Sequence, residues 1–238
     1  MTEALVAEGV YVGGAVRVAS YDPTLLPLFA ADGEEPSGRF DDPRREFRVR
    51  YAAHSVRGCL VELMSQWRPS ASEVVARARA FKRSEFDIAP QWLDPAVPKA
   101  WLSQQYMVEF RAVRTTSIFD LPGNLADLSN DERIAELVVS GFGDDQVLDV
   151  ATVMMAGPAG RRVSQQVARS VYERQPRPDG IHFRSRFDPD ELCWALYSHC
   201  AIDWKTSARS LSSEDNDDRA AVKAAAAVHG LAVPQEWR

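Results

Sequence analysis

Apolar and polar positions alternate in two different rhythms along this chain. A period of two marks strands and a period near 3.6 marks helices. Residues 10 to 20 mix β-branched residues with a Gly pair and predict a strand with a bend. Residues 31 to 38 are rich in Gly, Glu, Pro and Ser and predict a loop. Glu46 to Ala52 alternates charged with apolar residues, the pattern of a half-buried strand. Ser55 is placed to cap the helix that follows. On that helix Val56, Cys59, Leu60, Leu63, Met64 and Trp67 form one apolar stripe. Glu62 lies off the stripe and shares a face with Ser55, Gly58 and Gln66. Gly58 on that face would let another group approach the helix backbone closely.

Further along, Ser70 and Glu73 have the spacing of a capping box for a helix to about Lys82. Prolines 90, 95 and 98 break residues 87 to 99. Tyr106–Val113 and Thr116–Leu121 read as strands, with Asp120 at the end of the second. Ser129 and Glu132 suggest another capping box, for a helix ending near Gly141. Asp145–Ala156 and Ser164–Tyr172 read as helices, and Gly180–Phe187 and Leu192–Tyr197 as adjacent strands. The Ala-rich stretch from Asp217 to His229 is a helix, ended by Gly230. Strands and helices intermix without regular βαβ alternation. The expected fold is therefore α+β, a single domain with a mixed β-sheet, rather than a doubly wound sheet. The main domain is expected over residues 1–204, with residues 205–238 a helical extension packed on it.

A length of 238 residues suffices for a sizeable core, and 45% hydrophobic with 26% charged residues is ordinary for a globular chain. The net charge of −6 argues against a nucleic-acid-binding surface. Arginines still cluster locally at 44, 45, 48 and 50, where they serve either a small anion or a solvated strand edge. Cys59, Cys193 and Cys200 lie in apolar runs without metal-ligand spacing, so they read as buried, reduced thiols in a cytoplasmic protein. No secretory segment and no run long enough to cross a bilayer is apparent.

The usual catalytic fingerprints are missing. Gly141-Phe142-Gly143 has no third glycine and reads as a turn between helices. Gly157-Pro158-Ala159-Gly160-Arg161-Arg162 lacks the Lys-Ser/Thr ending of a P-loop and reads as a connection. The four histidines are scattered, so no metal site is expected. No Gly-x-Ser-x-Gly elbow signals a serine hydrolase. From spacing alone, Arg39, Glu62 and Ser185 are unconnected surface-type residues.

Their context connects them. In order along the chain stand Val16-Arg17-Val18, Gly38-Arg39-Phe40, Tyr51-Ala52-Ala53, Glu62, and Phe119-Asp120-Leu121. Ser164-Gln165-Gln166-Val167-Ala168, Asp179-Gly180-Ile181-His182-Phe183-Arg184-Ser185 and Cys193-Trp194-Ala195-Leu196 follow. This series, from Val16 to Trp204, resembles the RES domain, a family named for its Arg, Glu and Ser. Arg-Arg-Glu replaces the usual Gly between Phe40 and Tyr51, and residues 83–130 match poorly. The resemblance implies a fold similar to ADP-ribosyltransferase toxins, with a sheet cleft flanked by helices that holds NAD as substrate. It implies no prosthetic group, a toxin role, and an antitoxin partner of the Xre type. Glu62, Arg39 and Ser185 are then the catalytic candidates. Arg17, Tyr51, Arg184 and Arg186 are the substrate-binding ones. Glu62 would stabilise ribosyl charge, Arg39 bind phosphate, Tyr51 stack on nicotinamide or ribose, and Ser185 position the nicotinamide. Water, inorganic phosphate as co-substrate, and a protein side chain all remain open as acceptor. A silent partner-binding module is the alternative of a different class.

Overall fold

The computed structural model describes residues 15–28, 34–83, 95–112 and 117–238. The predicted strand residues 10–14, the loop residues 31–33, most of the proline-broken segment and residues 113–116 lie outside these. Eight strands among the described residues form one mixed sheet. They are β1 (Ala15–Ala19), β2 (Val49–Ala53), β3 (Tyr106–Ala112), β4 (Ile118–Asp120), β5 (Gly180–Arg184), β6 (Leu192–Tyr197), β7 (Ile202–Trp204) and β8 (Arg209–Ser210). The order is β4-β5-β6-β2-β1-β3-β7, with β8 also on β3. Only β4 and β5 run parallel; the other pairs are antiparallel.

The centre of this sheet is its weak seam. β1 pairs with β3 along its whole length, from Ala15 opposite Phe110 to Ala19 opposite Tyr106. β2 pairs with β6 just as fully, from Val49 opposite Tyr197 to Ala53 opposite Cys193. Between β1 and β2 the register holds a single pair, Val16 opposite Ala53. The two halves of the sheet therefore meet at one end and part at the other. A cleft opens where they part.

Helices bury one face of the sheet. They include α1 (Val56–Met64), α2 (Ala71–Arg83), α3 (Lys99–Leu102), α4 (Leu121–Asn124), α5 (Glu132–Phe142), α6 (Val150–Val153), α7 (Gly157–Tyr172) and α8 (Asn216–Val228). α1, α5, α7 and α8 share one core cluster with the inward residues of the strands. A smaller cluster, with Phe110, Ile118, Trp194 and Leu196, lies on the opposite face. β6 shows the alternation plainly: Cys193, Ala195 and Tyr197 belong to the first cluster, Trp194 and Leu196 to the second. α8 packs on α1: Val222, Ala225 and Ala226 are buried there, and His229 Nε2 lies 2.7 Å from the Val61 carbonyl.

Several local expectations hold. Ser55 caps α1, its Oγ accepting the Gly58 amide at 2.9 Å. Ser70 and Glu73 form the reciprocal capping box of α2. Three expectations need correction. The Ser129–Glu132 box does not form: Ser129 bonds back to Ala126 O, and Asp131, nearer the apolar run, caps α5. Helix 145–156 shrinks to α6, because Asp149 caps its start by accepting the Thr152 amide. Residues 157–162 are no connection. They are the first turns of α7, with Pro158 where a proline suits a helix start.

Candidate active site

The cleft holds two adjoining cavities of about 440 and 470 Å³, with Val18, Tyr51, Gly38 and Leu63 in the walls of both. The smaller one gathers Arg39, Glu62, Arg161 and Arg186. Glu62 is presented by α1 into this cavity beside Gly58, Cys59, Leu63 and Gln66, so two residues of the predicted apolar stripe border the cleft, while Leu60, Val61 and Met64 form the fully buried side of the helix. Its Oε1 is buried and has no hydrogen-bond partner among the described residues. No other acidic residue lines this cavity among those described.

Arg39 sits in a loop that is fixed from several sides. Phe40 is fully buried against Phe183, with ring centroids 4.9 Å apart. The Phe40 amide donates to Tyr51 Oη at 2.8 Å, and Tyr51 Oη donates to Asp41 at 3.0 Å. Asp41 also accepts the Gly38 amide at 2.7 Å. A Cβ at Gly38 would stand 2.5 Å from that carboxylate, so the turn needs glycine. Gln165 on α7 donates to the carbonyls of Pro36 and Gly38 at 3.1 Å each. The Arg39 guanidinium itself donates to the carbonyls of Val153 and Met155 at 2.9 and 3.2 Å. Burial pushes its pKa down to about 10, and repulsion from Arg186 and Arg161 adds to this, while Glu62 opposes it. Arg39 stays charged at neutral pH and is short of negative partners.

Arg186 extends from the connection between β5 and β6 over the Phe187 ring, 4.4 Å from its centroid. Burial lowers its pKa as well, against the pull of Glu62. Arg161 enters from the second turn of α7. Neither Arg161 nor Arg186 makes an ion pair among the described residues. Three guanidinium groups thus face one carboxylate. Cys59 and Cys193 also touch the cavity, yet burial pushes the Cys59 thiol up to about 12 and raises Cys193 too. Neither is a thiolate nucleophile near neutral pH.

The other sequence candidates are distributed differently. Tyr51 walls both cavities, but its hydroxyl is spent on the Arg39 loop. Arg17 is 4% exposed in β1 and lines the larger cavity, with its Nη2 on Tyr21 Oη at 2.5 Å. Its Nε and Nη1 are buried without partners among the described residues. Arg184 is not brought to the cleft. It follows Phe183 in β5, so it points to the opposite face, where it donates to the Pro189 carbonyl at 2.7 Å. Ser185 is 2% exposed and lines neither cavity; its Oγ accepts the amides of Phe187 and Asp188. The close approach expected at Gly58 is real, but its source is internal: a Cβ there would stand 2.4 Å from Glu191 Oε2. Arg161, Asp41, Gln165 and Glu191 were not singled out from sequence. The paired glycines and arginines of residues 157–162 and the Ser164–Ala168 piece of the family resemblance, which contains Gln165, carried the only signals.

Fold and site together define a class: an α+β domain whose split sheet holds a cationic cleft around one unpaired carboxylate. The RES domain model matches residues 16–215, and the chain belongs to the RES domain family. No curated protein matches the chain. Among solved structures it is similar to a chain in the crystal structure of the M. tuberculosis MbcT–MbcA toxin–antitoxin complex. That similarity has 13% identity and a TM-score of 0.41, over 90% of this chain and 88% of that one. No helix of the described residues is long and apolar enough to cross a membrane.

Proposed function

We propose that this protein cleaves the nicotinamide–ribose bond of NAD, as a toxin-type enzyme of the RES family. The observation that carries this reading is the buried, unpartnered Glu62 oxygen in a cavity it shares with Arg39, Arg161 and Arg186. A buried carboxylate oxygen without a hydrogen-bond partner costs the fold free energy, and a ligand hydroxyl in the cavity would supply the missing bond. Cleavage of the C1′–N bond sends the bonding electrons to nicotinamide and builds positive charge on the ribose, as in glycoside cleavage. A fixed carboxylate beside C1′ stabilises that charge. Nicotinamide leaves neutral and needs no acid, which suits a cavity without a histidine in its described wall.

The arginines suit the anionic parts of the reaction. Arg39, held by two carbonyls, presents its remaining N–H groups to the pyrophosphate. Arg161 and Arg186 leave cationic capacity for a second anion. Inorganic phosphate is therefore the favoured acceptor: its oxygen bonds to C1′ as nicotinamide departs. The larger cavity, with Arg17 in its wall, suits the adenylate half of the dinucleotide. An enzyme that destroys NAD in the cytoplasm endangers its own cell, so a neutralising antitoxin of the Xre type belongs to the same proposal.

The test is nicotinamide release from NAD by the purified chain, with and without added phosphate. Turnover that rises with phosphate and yields ADP-ribose carrying a new ribose phosphate is expected. Phosphate-independent release of free ADP-ribose would assign hydrolysis, and label found only on protein would assign a transferase. No nicotinamide release would refute the proposal.

A further inference from the structure

The connection of residues 185–191 carries Arg186 into the cleft, and two devices fix its shape. The first is Ser185, whose buried Oγ accepts the Phe187 amide at 3.1 Å and the Asp188 amide at 3.4 Å. The turn is closed by the Ser185 amide on Glu191 O and the Glu191 amide on Asp188 O, both at 3.0 Å. The second is a clamp to α1. Glu191 is 8% exposed and accepts Ser55 Oγ at 3.0 Å and Arg57 Nη1 at 2.5 Å, while Arg57 also bonds Asp188. Ser55 and Arg57 begin the helix that carries Glu62. Gly58 leaves the room that the Glu191 carboxylate occupies. The turn bearing Arg186 and the helix bearing Glu62 are thus fastened to each other by side chains that do not line the cleft.

We propose that Ser185 and Glu191 are positioning residues of the reaction, acting through Arg186 and its placement opposite Glu62, and that Ser185 does not touch the dinucleotide. The inference rests on the NAD-cleavage reading of the cleft. A side chain that meets no reacting atom still controls rate when it sets the geometry of one that does, because small misplacements cost large factors. Arg186 leans on one aromatic ring and has no ion pair among the described residues, so its backbone turn sets where its charge lies.

A double-mutant cycle on nicotinamide release tests this, with Ser185→Ala, Arg186→Ala and the pair, each checked for folding by its melting temperature. Ser185→Ala should lower kcat/KM on the order of tenfold to a hundredfold in the parent and leave it unchanged in the Arg186→Ala background. Ser185→Asn keeps an acceptor for the same two amides and should recover most of the loss. If Ser185→Ala fails to fold, Glu191→Gln, which keeps the volume beside Gly58, takes its place in the cycle with the same non-additive result expected. Equal losses in both backgrounds would overturn the inference, because Ser185 would then act independently of Arg186. Parent-level turnover in Ser185→Ala or Arg186→Ala would overturn it too. Failure of the underlying reading looks different: the parent itself would release no nicotinamide.

Discussion

Two charged regions of this molecule are built on opposite plans. Along the seam between α7, α5 and the loop before β2, Arg169 and Arg133 each meet several acids. Arg169 bonds Asp42, Glu46 and Glu173 at 3.2, 2.7 and 2.6 Å. Arg133 bonds Glu173 and Asp131, both at 2.8 Å, and Asp131 also accepts Ser170 Oγ at 2.5 Å. Asp42 is wholly buried and takes the amides of Arg44, Glu46 and Phe47 besides. In the cleft, three arginines surround one carboxylate, and that carboxylate has an oxygen with no partner. The seam satisfies its charges internally and belongs to the fold. The cleft leaves charges unsatisfied, which is the ground for proposing it as the ligand site.

The contrast is sharpest at Asp42. Asp42→Ala leaves three amides without their acceptor and takes one of its three acids from the buried Arg169, so a loss of about 2–4 kcal/mol is expected, read from denaturant unfolding. A loss below about 1 kcal/mol would show that the seam is no structural anchor. In the cleft the expected effects fall on rate. Arg39→Lys keeps the charge but loses the planar fork, in which Nη1 holds the Val153 and Met155 carbonyls and leaves the other N–H groups for phosphate, so kcat/KM for NAD should fall by roughly tenfold to a hundredfold. A lysine variant at the parent rate would remove Arg39 from the site. Arg161→Gln should raise the phosphate concentration needed for half-maximal turnover by about tenfold and leave the KM for NAD nearly unchanged. Equal shifts for both would place Arg161 on the dinucleotide instead.

The smallest expected effect is that of acid on the paired charges. Arg133 holds the Glu173 carboxyl below the usual range, and Arg57 does the same for Asp188. Their folded pKa values lie below the unfolded ones. The stability they contribute is therefore present above the ordinary carboxylate range and is lost as pH falls through the lowered values. The melting temperature should hold from neutral pH to about 5 and decline below about 4. A melting temperature that rises on acidification would contradict the pairing.

Much of this was legible in the chain where the cause is local. The Ser55 cap, the Ser70–Glu73 box and the phase of Glu62 on α1 depend on residues a few positions apart. So did the α+β class, because mixed periodicities without βαβ alternation restrict the sheet. Errors arose where near neighbours compete, as when Asp131 displaced Ser129 as the cap of α5. Others arose where only tertiary packing decides, as when α7 began early and carried Arg161 into the cleft. Arg184 was separable in principle, since the period of two in β5 already sets it against Phe183. The hidden position of Ser185 was not, because its hydroxyl answers to amides of a turn whose shape the sequence does not disclose.

The central claim is that Glu62 is left unpaired for chemistry and not for stability. Nicotinamide release and thermal unfolding measured on one preparation of Glu62→Gln test it directly. Release should fall by on the order of a thousandfold while the melting temperature stays within a few degrees of the parent's, since glutamine keeps the side chain's volume and the Glu62 side chain makes no hydrogen bond or core contact among the described residues that the fold depends on. Parent-level release, or a collapse of the melting temperature alongside the lost activity, would contradict it.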